Sequence, residues 1–457
     1  MYFSLILLFA PAICGAFTVN SALQSDIETV FGAPGKPPVA LPAAAQVPPP
    51  FNLDQTQAST DVDYWDTVDE YVPSDADYDK FDLTLTKRVA SQSGDNFLLS
   101  PLGLKLAMAI LDEAATGPTQ RELDLVLDFS KNKTTIRDKF SKILDSLQTK
   151  SSQYILNLGS RIYVGNEDMV SQRFAAIAQE HYKTEIVNLD FTEPKIASQN
   201  INAWVANNTD GRISDLVDED DVAQAILMVI NTLFFKGTWR HQFTPNETKT
   251  DIFFVSPSLQ KESQFMTVKN KFYYVDSQRY GAKILRMPYL SNKFAMYVIV
   301  PNALTGLDQI FNDVTSLRLE LQKLTEHTVT VTLPKFQFQY TSVLDDTLKE
   351  MGIRHAFEDT ASFPGISRGK RALQRLKLSK VLQRSGIEIN ELGSLAYSAT
   401  EISIVNKFGE VPMSNAEVIA NRPFMFFIQD EVTKQLLFMG RLNDPTLMDG
   451  SNKAKNI

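Results

Sequence analysis

The residues of this chain that most clearly invite chemistry lie in one stretch, from Glu391 to Glu410. Lys407 and Phe408 stand there within the sequence Asn-Lys-Phe-Gly, a basic residue before a large apolar one in polar, glycine-containing surroundings. That pattern predicts a protease cleavage site on a loop. Because a protease whose specificity pocket ends in an aspartate binds lysine by charge pairing, we expect the protease to be trypsin-like.

The first half of this stretch alternates between small and larger side chains. In an extended strand, successive side chains point to opposite faces. One face carries only small residues, which are Ser394, Ala396, Ser398 and Thr400. The opposite face carries Leu395 and the bulky Tyr397. The small face could be buried between neighbouring strands without clashes, and no proline occurs from Glu391 to Val411 to interrupt a hydrogen-bonded ladder.

The rest of the chain offers little for catalysis. Its four histidines are His181, His241, His327 and His355. None belongs to a His-Glu-x-x-His metal motif, and no glycine-rich phosphate loop stands out. These histidines leave a catalytic triad open in principle, but no residue invites one. We therefore expect a protein that is not an enzyme, with no metal site and no cofactor.

Two buried elements can be predicted from residue patterns. Ser100 is a good helix N-cap and Pro101 suits the first helical position, so a helix is expected to begin there. Residues Ala225–Trp239 form an apolar run typical of a strand that is buried on both faces. Asn231 and Thr232 interrupt the run and need buried hydrogen-bond partners.

Several separated motifs resemble those of the serpin family of serine protease inhibitors, over about residues 79–445. Val418–Ile428 resembles the family's C-terminal signature. Glu391 and Gly393, with the small residues that follow them, resemble its hinge. The other motifs that resemble the family are Asn96–Pro101, Ile201–Val217, Leu333–Lys335, Leu437–Arg441 and Asn443–Pro445.

The resemblance implies an α+β serpin fold with three β-sheets, about nine helices and an exposed reactive-centre loop at about 391–412. It also implies the family's mechanism. A protease attacks the loop as a substrate and forms an acyl-enzyme, and the cut loop then inserts as a new strand in the central sheet and distorts the active site of the protease. The family's usual spacing of fourteen residues past the hinge glycine ends at Lys407, so the local pattern and the resemblance agree on the Lys407–Phe408 bond.

The resemblance assigns roles to further residues. It implies a hinge made of Glu391, Gly393, Ser394, Ala396, Ser398 and Thr400. It also implies an ion pair between Lys335 and Glu391 at the top of the sheet, near Trp239, where loop insertion starts. The alternatives are a screened surface pair worth little and an ordinary core tryptophan. Gln383 stands where many members have a histidine, so a pH-sensitive latch is lost while a hydrogen bond is still expected.

The expected function is inhibition of a trypsin-like serine protease, in a covalent complex, by a monomeric protein. The sequence Asn406–Gly409 resembles that of insect serpins that restrain clip-domain proteases of the melanization and Toll cascades. Leu392, Leu395 and Tyr397 depart from the family's usual residues, so we expect slower insertion. The alternative is a non-inhibitory serpin that acts as a carrier, chaperone or storage protein.

The two ends of the chain differ from its middle. Residues 1–16 are mostly apolar and predict a secretory signal peptide, because the run is too short for the alternative, a membrane anchor. Its removal would take away Cys14, the only cysteine. We expect a protein secreted into an extracellular, haemolymph-like fluid, without membrane association. After a serpin domain at 79–447, residues 448–457 are expected to be a flexible tail.

Residues 17–78 are expected to be disordered. The Pro/Ala-rich segment Val39–Pro50 cannot form a helix interior or a central strand. Asp61–Asp82 carries nine acids against one base, a net charge of −8 out of −9 for the whole chain. The remainder is close to neutral, which argues against nucleic-acid binding. The acidic, tyrosine-containing segment could dock on a basic surface of a protease, but we favour a solvated spacer.

Two kinds of surface site remain. The Asn-x-Ser/Thr sequences for glycosylation begin at Asn132, Asn207 and Asn246. A basic cluster consists of Arg368, Lys370, Arg371, Arg375, Lys377 and Lys380. The cluster could bind a sulfated polysaccharide or the acidic segment, although a solvated charged face is the favoured interpretation.

Overall fold

The structure is a computed structural model of the chain. It describes residues 80–92, 94–130, 132–148, 151–166, 169–290, 292–367, 376–393 and 416–451. Several predictions of the sequence fall outside these ranges. They concern the segments 1–16 and 17–78, the reactive bond Lys407–Phe408, the hinge residues Ser394, Ala396, Ser398 and Thr400, and the basic residues Arg368, Lys370, Arg371 and Arg375.

The described residues contain ten α-helices, close to the expected nine. They are α1 (Lys80–Gln92), α2 (Pro101–Ala114), α3 (Gly117–Leu127), α4 (Lys133–Leu147), α5 (Gln172–Tyr182), α6 (Pro194–Asn208), α7 (Glu219–Val222), α8 (Leu307–Asn312), α9 (Leu317–Leu321) and α10 (Asp345–Met351). As predicted, Ser100 caps α2: its side chain accepts a hydrogen bond from the N–H of Gly103 at 3.1 Å.

The described residues also contain fifteen β-strands. They are β1 (Phe97–Leu99), β2 (Tyr154–Gly165), β3 (Glu185–Leu189), β4 (Leu227–Gly237), β5 (Lys249–Ser256), β6 (Leu259–Ser277), β7 (Ala282–Pro288), β8 (Phe294–Pro301), β9 (Thr325–Pro334), β10 (Phe336–Val343), β11 (Leu378–Ile389), β12 (Ala416–Ile419), β13 (Phe424–Asp430), β14 (Leu436–Leu442) and β15 (Asp449–Ser451).

One sheet has six strands, in the order β15-β10-β11-β4-β2-β3. Strand β4 lies near its centre and is buried on both faces, as its apolar run predicts. Met228, Ile230 and Phe234 pack in a cluster with α6, whereas Leu227 and Val229 belong to the larger core that includes α2. The sheet is therefore covered by helices on both faces.

The remaining strands form a nine-stranded assembly in which the 19-residue strand β6 is the link. One end of β6, Tyr273–Ser277, pairs with β7 and continues through β8, β13, β14 and β1. The segment Phe265–Tyr274 pairs with β9, which in turn pairs with β12. Two of the three expected sheets thus share one strand, so the hydrogen-bonded ladder runs through both.

The structure of the C-terminal region differs from one prediction. A flexible tail was expected at 448–457, yet β15 (Asp449–Ser451) pairs in parallel with Gln339–Thr341 of β10. The N–H of Gln339 also donates to the carbonyl of Met448 at 3.0 Å. Because backbone pairing fixes this segment, the folded domain extends beyond residue 447 to Ser451.

Candidate functional site: the hinge and the closed strand slot

The site lies where β11 ends and the chain leaves the six-stranded sheet. There the backbone of the hinge bonds to the segment that follows β4. The N–H of Phe243 donates to the carbonyl of Glu391 at 3.0 Å, and the N–H of Trp239 donates to that of Leu392 at 3.3 Å. The first two residues of the hinge are thus bonded to this segment.

Only glycine fits at position 393 in this conformation. Its φ is +87°, a region that side-chain-bearing residues rarely adopt. A Cβ atom there would lie 2.1 Å from the carbonyl oxygen of Gly237 and 2.4 Å from the Cα of Thr238. The predicted hinge glycine therefore lets the chain turn directly against the end of β4.

The predicted ion pair between Lys335 and Glu391 is present. Nζ of Lys335 lies 3.0 Å from Oε1 of Glu391, and the Glu391 side chain is only 12% exposed. Thr248 donates a further hydrogen bond to the same carboxylate oxygen at 2.7 Å. The partly buried geometry and the second donor distinguish this contact from a screened surface pair.

The pKa of the Glu391 carboxyl reflects these contacts. Burial by itself would raise the pKa. The hydrogen bonds from Thr248, the Glu391 backbone and Lys335, together with the charge of Lys335, outweigh burial and lower the pKa below its usual value. The charged form of Glu391 is therefore the form that the folded hinge stabilises.

Trp239 is both a core residue and a hinge contact. Its ring is buried and stacks on Tyr289, with the ring centroids 4.4 Å apart and an angle of 10° between the ring planes. The indole Nε1–H donates to the carbonyl of Asn390 at 2.9 Å. The two interpretations from the sequence therefore hold together, because the polar edge of a packed tryptophan reaches the base of the hinge.

Below the hinge, β4 and β11 are direct neighbours. They pair in parallel from Leu227 with Leu378 to Phe235 with Ile387, and no strand lies between them among the described residues. We call the line between these two strands the strand slot. A chain that turned back at Gly393 and entered it would run antiparallel to both strands, so it could bond to each through backbone groups.

A neutral hydrogen-bond network joins the two sides of the slot near its middle. Gln383 on β11 and Asn231 on β4 are cross-strand partners, and Nε2 of Gln383 donates to Oδ1 of Asn231 at 2.9 Å. The side chain of Gln383 also accepts from the N–H of Ser100 at 2.7 Å and donates to its carbonyl at 2.9 Å. Nδ2 of Asn231 donates to the carbonyl of Gly159 on β2 at 3.1 Å.

This network gives Asn231 the buried partner that the sequence demanded, and it confirms the hydrogen bond expected of Gln383. It also explains Gly103 on α2, since a Cβ atom there would lie 2.3 Å from Oδ1 of Asn231. The three residues fit as a set. Because none of them ionises near neutral pH, the network holds the slot closed without a titratable group.

The predicted glycosylation sites and two residues of the basic cluster lie among the described residues. Asn132, Asn207 and Asn246 are all exposed, so each could carry a glycan in the folded protein. In the described part of the basic cluster, Lys380 pairs with Asp221 at 2.7 Å and Lys377 pairs with Asp359 at 2.5 Å. These two lysines are thus matched by carboxylates.

One catalytic spacing also occurs in the sequence, at Gly365–Gly369, where Gly-Ile-Ser-Arg-Gly matches the Gly-x-Ser-x-Gly pattern of a nucleophile elbow. Ser367 is only 4% exposed and pairs through an isolated bridge with Val170. An elbow serine must instead present its hydroxyl at the top of a strand-to-helix turn. The buried Ser367 does not fit that role.

Comparison with known proteins decides the family. The family model described as serpin (serine protease inhibitor) matches residues 76–445, which is most of the chain. This chain belongs to the serpin family. "Serine protease inhibitor 2" of Anopheles gambiae is 35% identical over 377 residues, which cover 80% of this chain and 91% of that protein.

Solved serpin structures share the fold. Serpin48 of Tenebrio molitor, described as highly specific, aligns with a TM-score of 0.72 at 28% identity and covers 80% of this chain and 96% of its own. Protease nexin-1, solved with heparin, aligns with a TM-score of 0.71 at 25% identity and covers 80% and 97%. Among the described residues of this serpin, no helix has the length and apolar character to cross a membrane.

Proposed function

We propose that this serpin is a secreted suicide inhibitor of trypsin-like serine proteases that is cleaved at Lys407–Phe408. The observation that carries the proposal is the closed strand slot between β4 and β11, with a glycine hinge folded against its top. Glu391 and Leu392, at the start of the hinge, are held by backbone and side-chain hydrogen bonds that a moving chain can exchange for those of a strand ladder.

The chemistry follows the protease's own reaction. Its serine hydroxyl attacks the carbonyl carbon of Lys407, and the bond to the nitrogen of Phe408 breaks as that nitrogen takes a proton. The protease is left as an ester of Lys407. If the loop from Ser394 onwards enters the slot before water attacks this ester, the protease is carried along and its active site is distorted.

The amino-acid pattern of the loop supports this course. The small face of Ser394, Ala396, Ser398 and Thr400 would turn toward the core between β4 and β11. Leu395 and Tyr397 would remain on the opposite face, where bulk slows entry more than it prevents it. Inhibition therefore depends on a race between insertion and hydrolysis of the ester.

We further propose that the target is a clip-domain protease of an insect-type melanization or Toll cascade. The support is the Asn406–Gly409 sequence, together with the similarity to serpins of Anopheles gambiae and Tenebrio molitor. Secretion, removal of residues 1–16 and glycans on Asn132, Asn207 and Asn246 belong to the same proposal. The same proposal keeps a sulfated polysaccharide as a ligand of the basic cluster. Its support is the similarity to protease nexin-1, which was solved with heparin, although Lys377 and Lys380 pair with carboxylates.

The test is to mix the mature protein with trypsin and to analyse the products on a denaturing gel and by mass. The proposal predicts a covalent complex of the summed mass and a small fragment that begins at Phe408. Lys407→Ala is the matched variant, which should lose the complex while the fold stays intact. Cleavage at Phe408 without any complex would favour the non-inhibitory alternative, and full inhibition by Lys407→Ala would show that the scissile bond lies elsewhere.

A further inference from the structure

The outer edge of the six-stranded sheet is covered by the chain's own C-terminal segment. Strand β15 (Asp449–Ser451) lies alongside β10, with Gln339 opposite Asp449 and Thr341 opposite Ser451. Among the described strands, β10 otherwise pairs only with β11. Without β15, the N–H of Gln339, which donates to the carbonyl of Met448 at 3.0 Å, would face solvent at a sheet edge.

The contact has specific side-chain features as well as backbone pairing. Gly450 packs so closely on Tyr340 that a Cβ atom at this glycine would lie 2.9 Å from a ring carbon of the tyrosine. Asp449 lies 3.3 Å from the guanidinium of Arg384 on β11. Arg384 also donates to Oε1 of Gln339 at 3.0 Å, so one arginine ties three adjacent strands together.

An open edge on this sheet would be a hazard. Unpaired N–H and C=O groups in a row form a template for another chain, and proteins cover or interrupt such edges. Most side chains of β10 are buried, including those of Phe338, Tyr340 and Thr341. This burial holds the strand in an extended conformation. A second copy of the chain would present the same edge, and two β10 edges can pair about a two-fold axis.

We propose that residues 449–451 close an interaction surface on β10 that would otherwise pair with β10 of a second copy. Residues 449–451 would thus protect this edge of the sheet from pairing with another chain. The inference rests on the topology of the sheet and does not depend on the proposed inhibitory function, because the strand slot lies on the other side of β11.

Two truncated proteins test the proposal. One ends at Leu447 and lacks β15, whereas its matched control ends at Ser451 and keeps it. In the shorter protein, amide hydrogen exchange across Gln339–Thr341 should become at least about tenfold faster in the dilute monomer. The shorter protein should also form dimers in sedimentation experiments as its concentration rises, and an added peptide of residues 448–457 should return it to the monomer. The control should do neither.

A point variant tests the same proposal without shortening the chain, because the truncated protein could be unstable for other reasons. Gly450→Val keeps the full length but places a side chain against Tyr340, so it should reproduce the faster exchange and the dimers. Ser451→Val, at an exposed position of the same strand, is its control. Unchanged exchange at β10 in both Gly450→Val and the shorter protein would overturn the proposal, as would monomers that persist at all concentrations despite faster exchange.

Discussion

At the residue scale, the hinge depends on Gly393, where the surrounding atoms leave no space for a side chain. Gly393 combines a positive φ with a gap too narrow for a methyl group, whereas Gly211 has a φ of +73° with nothing within 4 Å of its would-be Cβ. Comparing substitutions at the two glycines therefore distinguishes the cost of backbone strain from the cost of steric contact. Glu391 adds a charge that is held by Lys335 and Thr248.

Gly393→Ala should destabilise the native protein more than Gly211→Ala does. Both variants place alanine at positive φ, which costs about 1 kcal/mol, but only the first forces atoms to within 2.1 Å of a backbone oxygen. We expect the melting temperature to fall by several degrees more for Gly393→Ala, measured by differential scanning calorimetry. Equal falls would show that the close contact at the hinge carries no cost.

Glu391→Gln should weaken the protein at neutral pH and have less effect in acid. The pKa of Glu391 is lowered in the folded state, so its contribution is present above the unfolded-state pKa and is lost as the pH falls through the folded-state pKa. For a partly exposed pair the loss should be about 1 kcal/mol. Melting temperatures of both proteins across the acid range should converge at low pH, and a constant difference would contradict the assignment.

At the element scale, the two strands that border the slot are joined by neutral amides. The Gln383–Asn231 contact, together with Ser100 at the N-cap of α2, links β11, β4 and a helix beneath the sheet. The last turn of the same helix, α2, contains Asp112, which is buried close to Lys133 of α4. These two places should respond differently to pH, because only the second holds an ionisable group.

Gln383→Ala should be strongly destabilising. It removes the hydrogen-bond partner of the Ser100 N–H and of Oδ1 of Asn231, and it leaves the Ser100 carbonyl with only the N–H of Leu104. In this buried network the cost should be roughly 2–4 kcal/mol. Gln337→Ala, at an exposed glutamine on the neighbouring strand β10, is the matched control and should lie within about 0.5 kcal/mol of the parent. Chemical unfolding of the three proteins measures both values, and similar losses would contradict a role for the network.

Asp112→Asn should stabilise the protein above neutral pH. Burial is the main cause that raises the pKa of Asp112 to about 7, with Asp124 and Glu113 adding to it and Lys133 opposing it. A raised carboxyl pKa lowers stability progressively as the pH rises from the unfolded-state value toward 7. The variant's gain in melting temperature should therefore appear between pH 4 and 7 and level off above that. A gain that is independent of pH would refute this account.

At the scale of the whole molecule, the parts that sequence patterns predict are those built from neighbours in the chain. Ser100 and Pro101 mark the start of α2, and the apolar run after Ala225 marks β4. The family resemblance added the Lys335–Glu391 pair. Thr248 and β15 were missed because their partners are distant: Thr248 lies 143 positions before Glu391, and a three-residue strand of Asp, Gly and Ser has no strand-like pattern.

The cleaved protein should be much more resistant to heat than the intact one. Insertion of the loop adds a central strand with hydrogen bonds on both sides, so cleavage at Lys407 should raise the melting temperature by at least about 10 °C. Calorimetry before and after limited trypsin treatment measures the shift. An unchanged melting temperature with a fully cut loop would mean that the slot stays closed.

The most direct test of the central claim is to lock the slot and then release it. Leu233 and Ser385 are cross-strand partners on β4 and β11, at a spacing suited to a disulfide when both are replaced by cysteine. In the protein without residues 1–16, which has no other cysteine, the oxidised variant should be cleaved by trypsin as a simple substrate. The reduced form of the same variant should trap trypsin covalently. A covalent complex formed equally well by the oxidised form would show that β4 and β11 do not separate, and would contradict the account.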